Sequence, residues 1–245
     1  MSLFNEKLKQ ITLKEVLSLI IVLFLIQYLF NWLNIVHIDA VWIYILVIFY
    51  FAFRLKDVIL NMGEDIRGLF SPNLLKISLI VVVLNIFFSY GMLYLSNFVL
   101  DVASSRNLFN SFLTAGMIAT IFVSPISEEL IFRGVFLNRL KLIVPTTFAV
   151  LISSLLFASL HSYGSIFSAF IFGICVAILY LKTDNIFVPI FVHFVNNLFA
   201  EIIRYSDLNN LLFTSTPVIA AMSVLAAVSF AVIFVNIIRQ LKSLK

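Results

Sequence analysis

The sequence predicts an all-α membrane protein, a polytopic helix bundle of about eight transmembrane helices. Three observations lead there. Hydrophobic residues make up 62% of the 245 positions and charged residues only 11%, against about 45–50% and about 25% in soluble domains. Apolar runs recur at the roughly 20-residue length that crossing a bilayer requires. If the N-terminus is cytoplasmic, thirteen of the sixteen Lys and Arg fall in inside segments and only Arg106 and Arg204 in outside loops, the bias expected of inserted helices.

The spans fall at about 14–35, 39–54, 74–100, 110–139, 146–161, 165–182, 186–204 and 217–239. The first follows a basic start (Lys7, Lys9, Lys14) and runs to about Leu33 with no small-residue cleavage site, which predicts an uncleaved span rather than a signal peptide. The second and fifth are short. Between spans two and three, the amphipathic segment 54–70 predicts a helix lying along the inner surface. Pro125 predicts a kink in the long fourth span, and Pro72, Pro145, Gly164 and Pro217 mark boundaries. No repeat or low-complexity linker divides the chain, so residues 1–245 form a single integral membrane domain.

The expected location is the plasma membrane, multi-pass, with both termini cytoplasmic. The net charge of +4 comes from Lys and Arg at helix ends, so nucleic acid is excluded as a partner and the lipid bilayer is the surrounding phase. Nothing in the sequence fixes the oligomeric state. Cys175 has no partner cysteine and reads as a small packing residue. His37, beside Asp39 in the first outer loop, reads as solvated.

The chemistry concentrates in the fourth span. The stretch "SEELIFR" puts Glu128, Glu129 and Arg133 among apolar residues. A charge at the bilayer centre costs about 2.5–3.5 kcal/mol on insertion scales, so these three need partners. Glu129 and Arg133 stand four apart in the favourable acid-then-base order and can neutralise each other. Glu128 points about 100° away around the helix and is left to face something else. Span five ends in "LLFASLH", with Phe157 and His161 four apart, and span seven contains "HFVNN", with His193 and Asn197 four apart. At 1.5 Å rise per residue, Glu128, His161 and His193 all fall in the middle part of the apolar core.

In order, "EELIFR", "FASLH" and "HFVNN" resemble the three motifs of the CAAX protease and bacteriocin-processing family, the Abi-type intramembrane endopeptidases. Those motifs are Glu-Glu-x-x-x-Arg, Phe-x-x-x-His and His-x-x-x-Asn. The resemblance covers about residues 110–200, on spans four, five and seven, and implies a catalytic core there. It implies a glutamate-dependent protease in which Glu128 is the general base and His161 positions the water. His193 and Asn197 would donate to the oxyanion, and Glu129 with Arg133 would hold the span in register. Phe157 packs beside His161 with no chemical role.

No cofactor is implied. Glu128, His161 and His193 would also make a His₂Glu zinc set, the less favoured alternative because the chain lacks a His-Glu-x-x-His helix. The implied substrates are hydrophobic or membrane-associated peptides, cut in leader or C-terminal processing. The Ile-, Phe-, Lys- and Asn-rich usage suggests AT-rich bacterial coding, which favours leader-peptide maturation or self-immunity over prenyl-protein processing. Two other functions remain open: a non-catalytic immunity or sensor-regulating membrane protein of the same fold, and a transporter with an intramembrane carboxylate and His relay. The transporter lacks support from paired inverted repeats.

Overall fold

The computed structural model describes residues 2–35, 38–100, 115–161, 166–207 and 209–243. Side chains at 97–100 and 115 are not included. His37, Arg106, Gly164 and the opening residues of the predicted fourth span (110–114) lie outside the described residues.

The described residues are helical, with no strand among them. The bundle is polytopic. Helix α1 (Leu3–Gln10) precedes the first long apolar helix, α2 (Leu13–Trp32), and α3 (Ala40–Arg54) follows. A 3-10 turn (Ile59–Met62) and α4 (Gly63–Leu69) lead into α5 (Pro72–Leu100). The fourth span is composite: α6 (Ala115–Ile118), a π turn (Ala119–Val123), α7 (Ser124–Glu129), a π segment (Leu130–Leu137) and α8 (Asn138–Leu140). Then come α9 (Thr146–Ser159), α10 (Ile166–Thr183), α11 (Phe187–Ser206), the short α12 (Leu211–Thr214) and α13 (Thr216–Ser243).

Five of these helices, α2, α5, α10, α11 and α13, are long and apolar enough to cross a membrane. Helices α3 and α9 are apolar but shorter, 15 and 14 residues. They rise roughly 22 and 21 Å, so neither reaches across a core of about 30 Å by itself. With the composite span these make the eight apolar segments read from the sequence.

Local chemistry explains several boundaries. Thr12 caps α2: its hydroxyl accepts from the Glu15 N–H at 3.2 Å and donates to the Glu15 carboxylate at 2.9 Å. Helix α1, which the sequence reading did not anticipate, is held by its buried polar face. Asn5 is fully buried and its Oδ1 accepts from the Ile186 N–H at 2.9 Å. Leu8 is fully buried too, with its methyls against Gly134 of the composite span. The expectation of one amphipathic helix over 54–70 is corrected: the stretch breaks into a turn, the 3-10 turn and α4.

Helix α10 sits at the centre, buried along much of its length and packed against α9, α11, α5 and α13. Helix α5 runs along α13, and Gly91 permits their closest approach. A Cβ built on Gly91 would stand 2.3 Å from the Ala226 Cβ, so only glycine fits there. Small residues at such crossings let helix backbones meet in a lipid environment. Helix α2 is almost wholly unburied by protein, as a lipid-facing helix must be.

The composite span sets its proline directly after a widened turn. The π turn closes just before Pro125: the Ser124 N–H bonds the Ala119 carbonyl, five residues back. Pro125 then occupies the first turn of α7, where its missing N–H costs least. Wide turns loosen carbonyls, and in hydrocarbon each unsatisfied one costs several kcal/mol. Polar side chains take them up. Ser127 Oγ donates to the carbonyls of Val123 and Ser124 at 3.1 and 3.0 Å. Ser153 on α9 donates to Phe132 O at 2.9 Å, and Asn138 Nδ2 to Arg133 O and Gly134 O at 3.1 and 2.9 Å. The span that carries the acidic motif is thereby fixed to its neighbours through its own backbone.

Candidate active site

The six residues singled out by sequence lie on three packed elements. Glu128 and Glu129 end α7, and Arg133 lies in the π segment after it. His161 follows the C-terminal turn of α9, and His193 and Asn197 share one face of α11.

Arg133 is wholly buried. Its Nη1 donates to Glu129 Oε1 at 2.8 Å, and its Nη2 to the Gly173 carbonyl of α10 at 3.0 Å. Its guanidinium also lies over the Phe157 ring, 4.4 Å from the centroid. Gly173 permits this approach, since a Cβ there would meet Arg133 Nη2 and Phe157 at 3.3 Å.

The Glu129 pairing is wider than the sequence reading assumed. Glu129 Oε1 also faces His193 Nδ1 at 2.8 Å. The carboxylate beside Arg133 accepts, so His193 Nδ1 carries the hydrogen. At His161 the partner of Nδ1 is the Phe157 carbonyl, at 2.9 Å. A carbonyl can only accept, so this Nδ1 also carries its hydrogen. In their neutral forms both imidazoles therefore present a bare Nε2 lone pair, the tautomer being set by the bond the other nitrogen makes.

Both lone pairs look toward Glu128. Its Oε2 lies 3.8 Å from His161 Nε2 and 4.0 Å from His193 Nε2. This oxygen is buried and has no hydrogen-bond partner among the described residues. Its Oε1 accepts from Ser124 Oγ, one turn earlier, at 2.5 Å. Tyr44 of α3 interacts with the same carboxylate. The centre thus gathers three acceptor atoms, two nitrogens and one oxygen, all within 4.8 Å of one another. Such a set can orient one water or hold one metal ion.

The Phe157 ring is a common floor. Its centroid lies 4.4 Å from that of His161, 5.6 Å from that of His193 and 5.6 Å from that of Phe132. Phe157 therefore shapes the site under the guanidinium and both imidazoles, more than the neighbour of His161 that the sequence suggested. Asn197 stands at the edge. Its Nδ2 donates to the Thr120 carbonyl in the π turn at 2.9 Å, so one of its two N–H groups is committed and the other is left over.

Three participants were absent from the sequence reading. Ser124 was legible, being four residues before Glu128 on the same helical face. Asn85 on α5, whose Nδ2 donates to Asn196 Oδ1 at 2.8 Å, was marked by its place in an apolar span. Tyr44 carried no signal, because aromatic residues are common throughout this chain.

Residues 110–199 match the family described as type II CAAX prenyl endopeptidase Rce1-like. Over this stretch the chain is similar to that family. The Rce1-like stretch contains all six motif residues and Phe157, whereas Tyr44 and Asn85 lie outside it. A curated relative, "Putative membrane peptidase YdiL" of Bacillus subtilis (strain 168), is 35% identical over 99 residues, which are 39% of this chain and 40% of the relative. The match therefore spans about two fifths of the relative's length. No solved structure matches the chain.

Proposed function

We propose that the protein is an intramembrane, metal-independent endopeptidase that cleaves hydrophobic or membrane-associated peptides with a water activated by Glu128. The observation that carries this reading is the buried, unpaired Glu128 Oε2 facing two imidazole nitrogens at 3.8 and 4.0 Å. The Rce1-like stretch and the similarity to a membrane peptidase support it at the level of the family.

In this mechanism Glu128 takes a proton from water, and His161 Nε2 orients the water by accepting its second hydrogen. The water oxygen bonds to the scissile carbonyl carbon. The resulting oxyanion meets the uncommitted N–H of Asn197. His193 can donate to it only as the imidazolium, because its Nδ1–H is committed to Glu129, which then serves as counter-ion. The protonated Glu128 passes its hydrogen to the leaving nitrogen as the peptide bond breaks, and returns to carboxylate. Preorganised donors of this kind contribute about 10²–10³ in rate each.

Two tetrahedral zinc ligands at about 2.0–2.1 Å from the metal stand about 3.3–3.4 Å apart. Two groups that each hydrogen-bond one tetrahedral water at about 2.8 Å stand about 4.6 Å apart. The separations of 3.8 and 4.0 Å fall between the two, so the metal-free reading rests on the missing His-Glu-x-x-His helix and is decided by chelator.

Leader or C-terminal processing of membrane-embedded peptides is the proposed role, and residues 1–245 act as one membrane domain around a core at 110–200. The proposed orientation puts both termini in the cytoplasm. It is supported by contacts that collect basic residues at one end of the bundle: Lys7 with Asp57 at 2.9 Å, Lys9 with Asp184, Arg54 with Glu15 at 2.9 Å, and Arg139 Nε with Ile11 O at 2.9 Å.

The test compares the membrane peptides of cells carrying the wild type or Glu128→Gln at equal expression. A peptide trimmed only by the wild type is expected, with cleavage by purified protein falling about 10²–10⁴-fold in the variant and persisting in chelator. Activity surviving Glu128→Gln would sink the mechanism. One zinc per chain, lost together with activity, would move the same residues to metal chemistry.

A further inference from the structure

Beside the two histidines, on the α5 side, lies a cavity of about 160 Å³ lined by Asn85, Ser89, His161, Ala169, His193 and Asn197 among others. Whole-ligand pockets typically measure about 300–1,000 Å³, so this space suits one residue of a longer chain. Its α5 wall sets Asn85 and Ser89 beside Leu93. Asn85 and Ser89 stand one helical turn apart and share a face.

Asn85 is 6% exposed. Its amide is oriented by a chain of hydrogen bonds: Asn85 Nδ2 to Asn196 Oδ1 at 2.8 Å, then Asn196 Nδ2 to Asn197 Oδ1 at 3.3 Å. That chain leaves Asn85 Oδ1 buried with no hydrogen-bond partner among the described residues. Buried polar atoms are nearly always paired, and an exception needs an explanation. Asn85 lines this residue-sized cavity, and the complement of its unpaired amide oxygen is a peptide N–H.

From this we infer that the cavity is a substrate subsite: it takes the side chain of one small or medium residue adjoining the scissile bond, whose main-chain N–H donates to Asn85 Oδ1. The inference rests on the proteolytic reading of the neighbouring site and adds a specificity determinant from α5, outside the Rce1-like stretch. Asn85 and Ser89 of α5 share the cavity wall with the motif residues His161, His193 and Asn197, so α5 adds selection to the chemistry of α7, α9 and α11.

The test uses a set of fluorogenic hydrophobic peptides that vary one position through Gly, Ala, Val, Leu and Phe, offered to full-length protein in proteoliposomes. Ser89→Phe fills the cavity. It should reduce cleavage of peptides with Val or Leu beside the cut at least tenfold relative to those with Gly. Ser89→Leu should give the same order with a smaller loss. Asn85→Leu keeps the volume and removes the amide, and should raise KM about tenfold for every peptide with little change in kcat. Thermal unfolding identifies any variant that fails to fold.

An unchanged size profile in both Ser89 variants, with an unchanged KM in Asn85→Leu, overturns the subsite. If the wild type and Glu128→Gln alike cleave nothing, it is the proteolytic reading that fails. Retention of the same peptides then decides the subsite. Size-selective retention abolished by Ser89→Phe upholds it, and equal retention by both proteins overturns it.

Discussion

Arg133 has no exposed surface and three kinds of partner: a carboxylate, a backbone carbonyl and an aromatic face. Only a planar guanidinium serves all three at once. Removing one partner of a buried pair typically costs about 3–5 kcal/mol, because the other charge stays behind. Arg133→Leu is therefore expected to lower stability by about that amount, read as a fall in the thermal midpoint in detergent. Arg133→Lys should also lose stability, since a point charge cannot reach Glu129 and Gly173 together. Adding Glu129→Leu to Arg133→Leu should regain part of the loss, though His193 Nδ1 would then be left without its acceptor. The Glu129–Arg133 half of this network was legible from spacing, because i,i+4 neighbours on a helix must meet. The His193 bond to Glu129 was not, because a contact between spans 64 residues apart leaves no mark in local periodicity. The same holds for Tyr44.

At the scale of elements, the α5–α13 crossing depends on one missing methyl group. Gly91→Ala would press a Cβ to 2.3 Å from the Ala226 Cβ, where no real contact exists, so one helix must shift. Overpacking of this kind costs about 1–3 kcal/mol. The expected result is a lower thermal midpoint for Gly91→Ala and recovery in Gly91→Ala/Ala226→Gly, where the methyl changes sides; no recovery would show that the two helices do not meet there. Apolar length made the long helices legible, since a bilayer leaves little freedom in that quantity. It said nothing of α1, whose eight residues are too short for a span pattern and hold on through Asn5 and Leu8. It also said nothing of the π turns, because Pro125 signals a kink and a widened turn alike.

At the scale of the molecule, Lys7, Lys9, Arg54 and Arg139 meet partners at one end of the bundle, with α1 packed among them. Reporter fusions joined after residue 243 should be active in the cytoplasm and silent outside, and a cysteine placed at Ser2 should resist membrane-impermeant reagents in intact cells. The opposite labelling pattern would reverse the orientation. The acid itself lies between the two widened turns, at 119–123 and 130–137. Each widened turn lodges one residue more per closed ring than an ordinary α turn. Were the turn at 119–123 to tighten to an even pitch with all its residues kept, everything after it would swing by about 100°, turning Glu128 from the histidines toward another face. The count of residues lodged in this turn, as much as side-chain identity, aims the carboxylate.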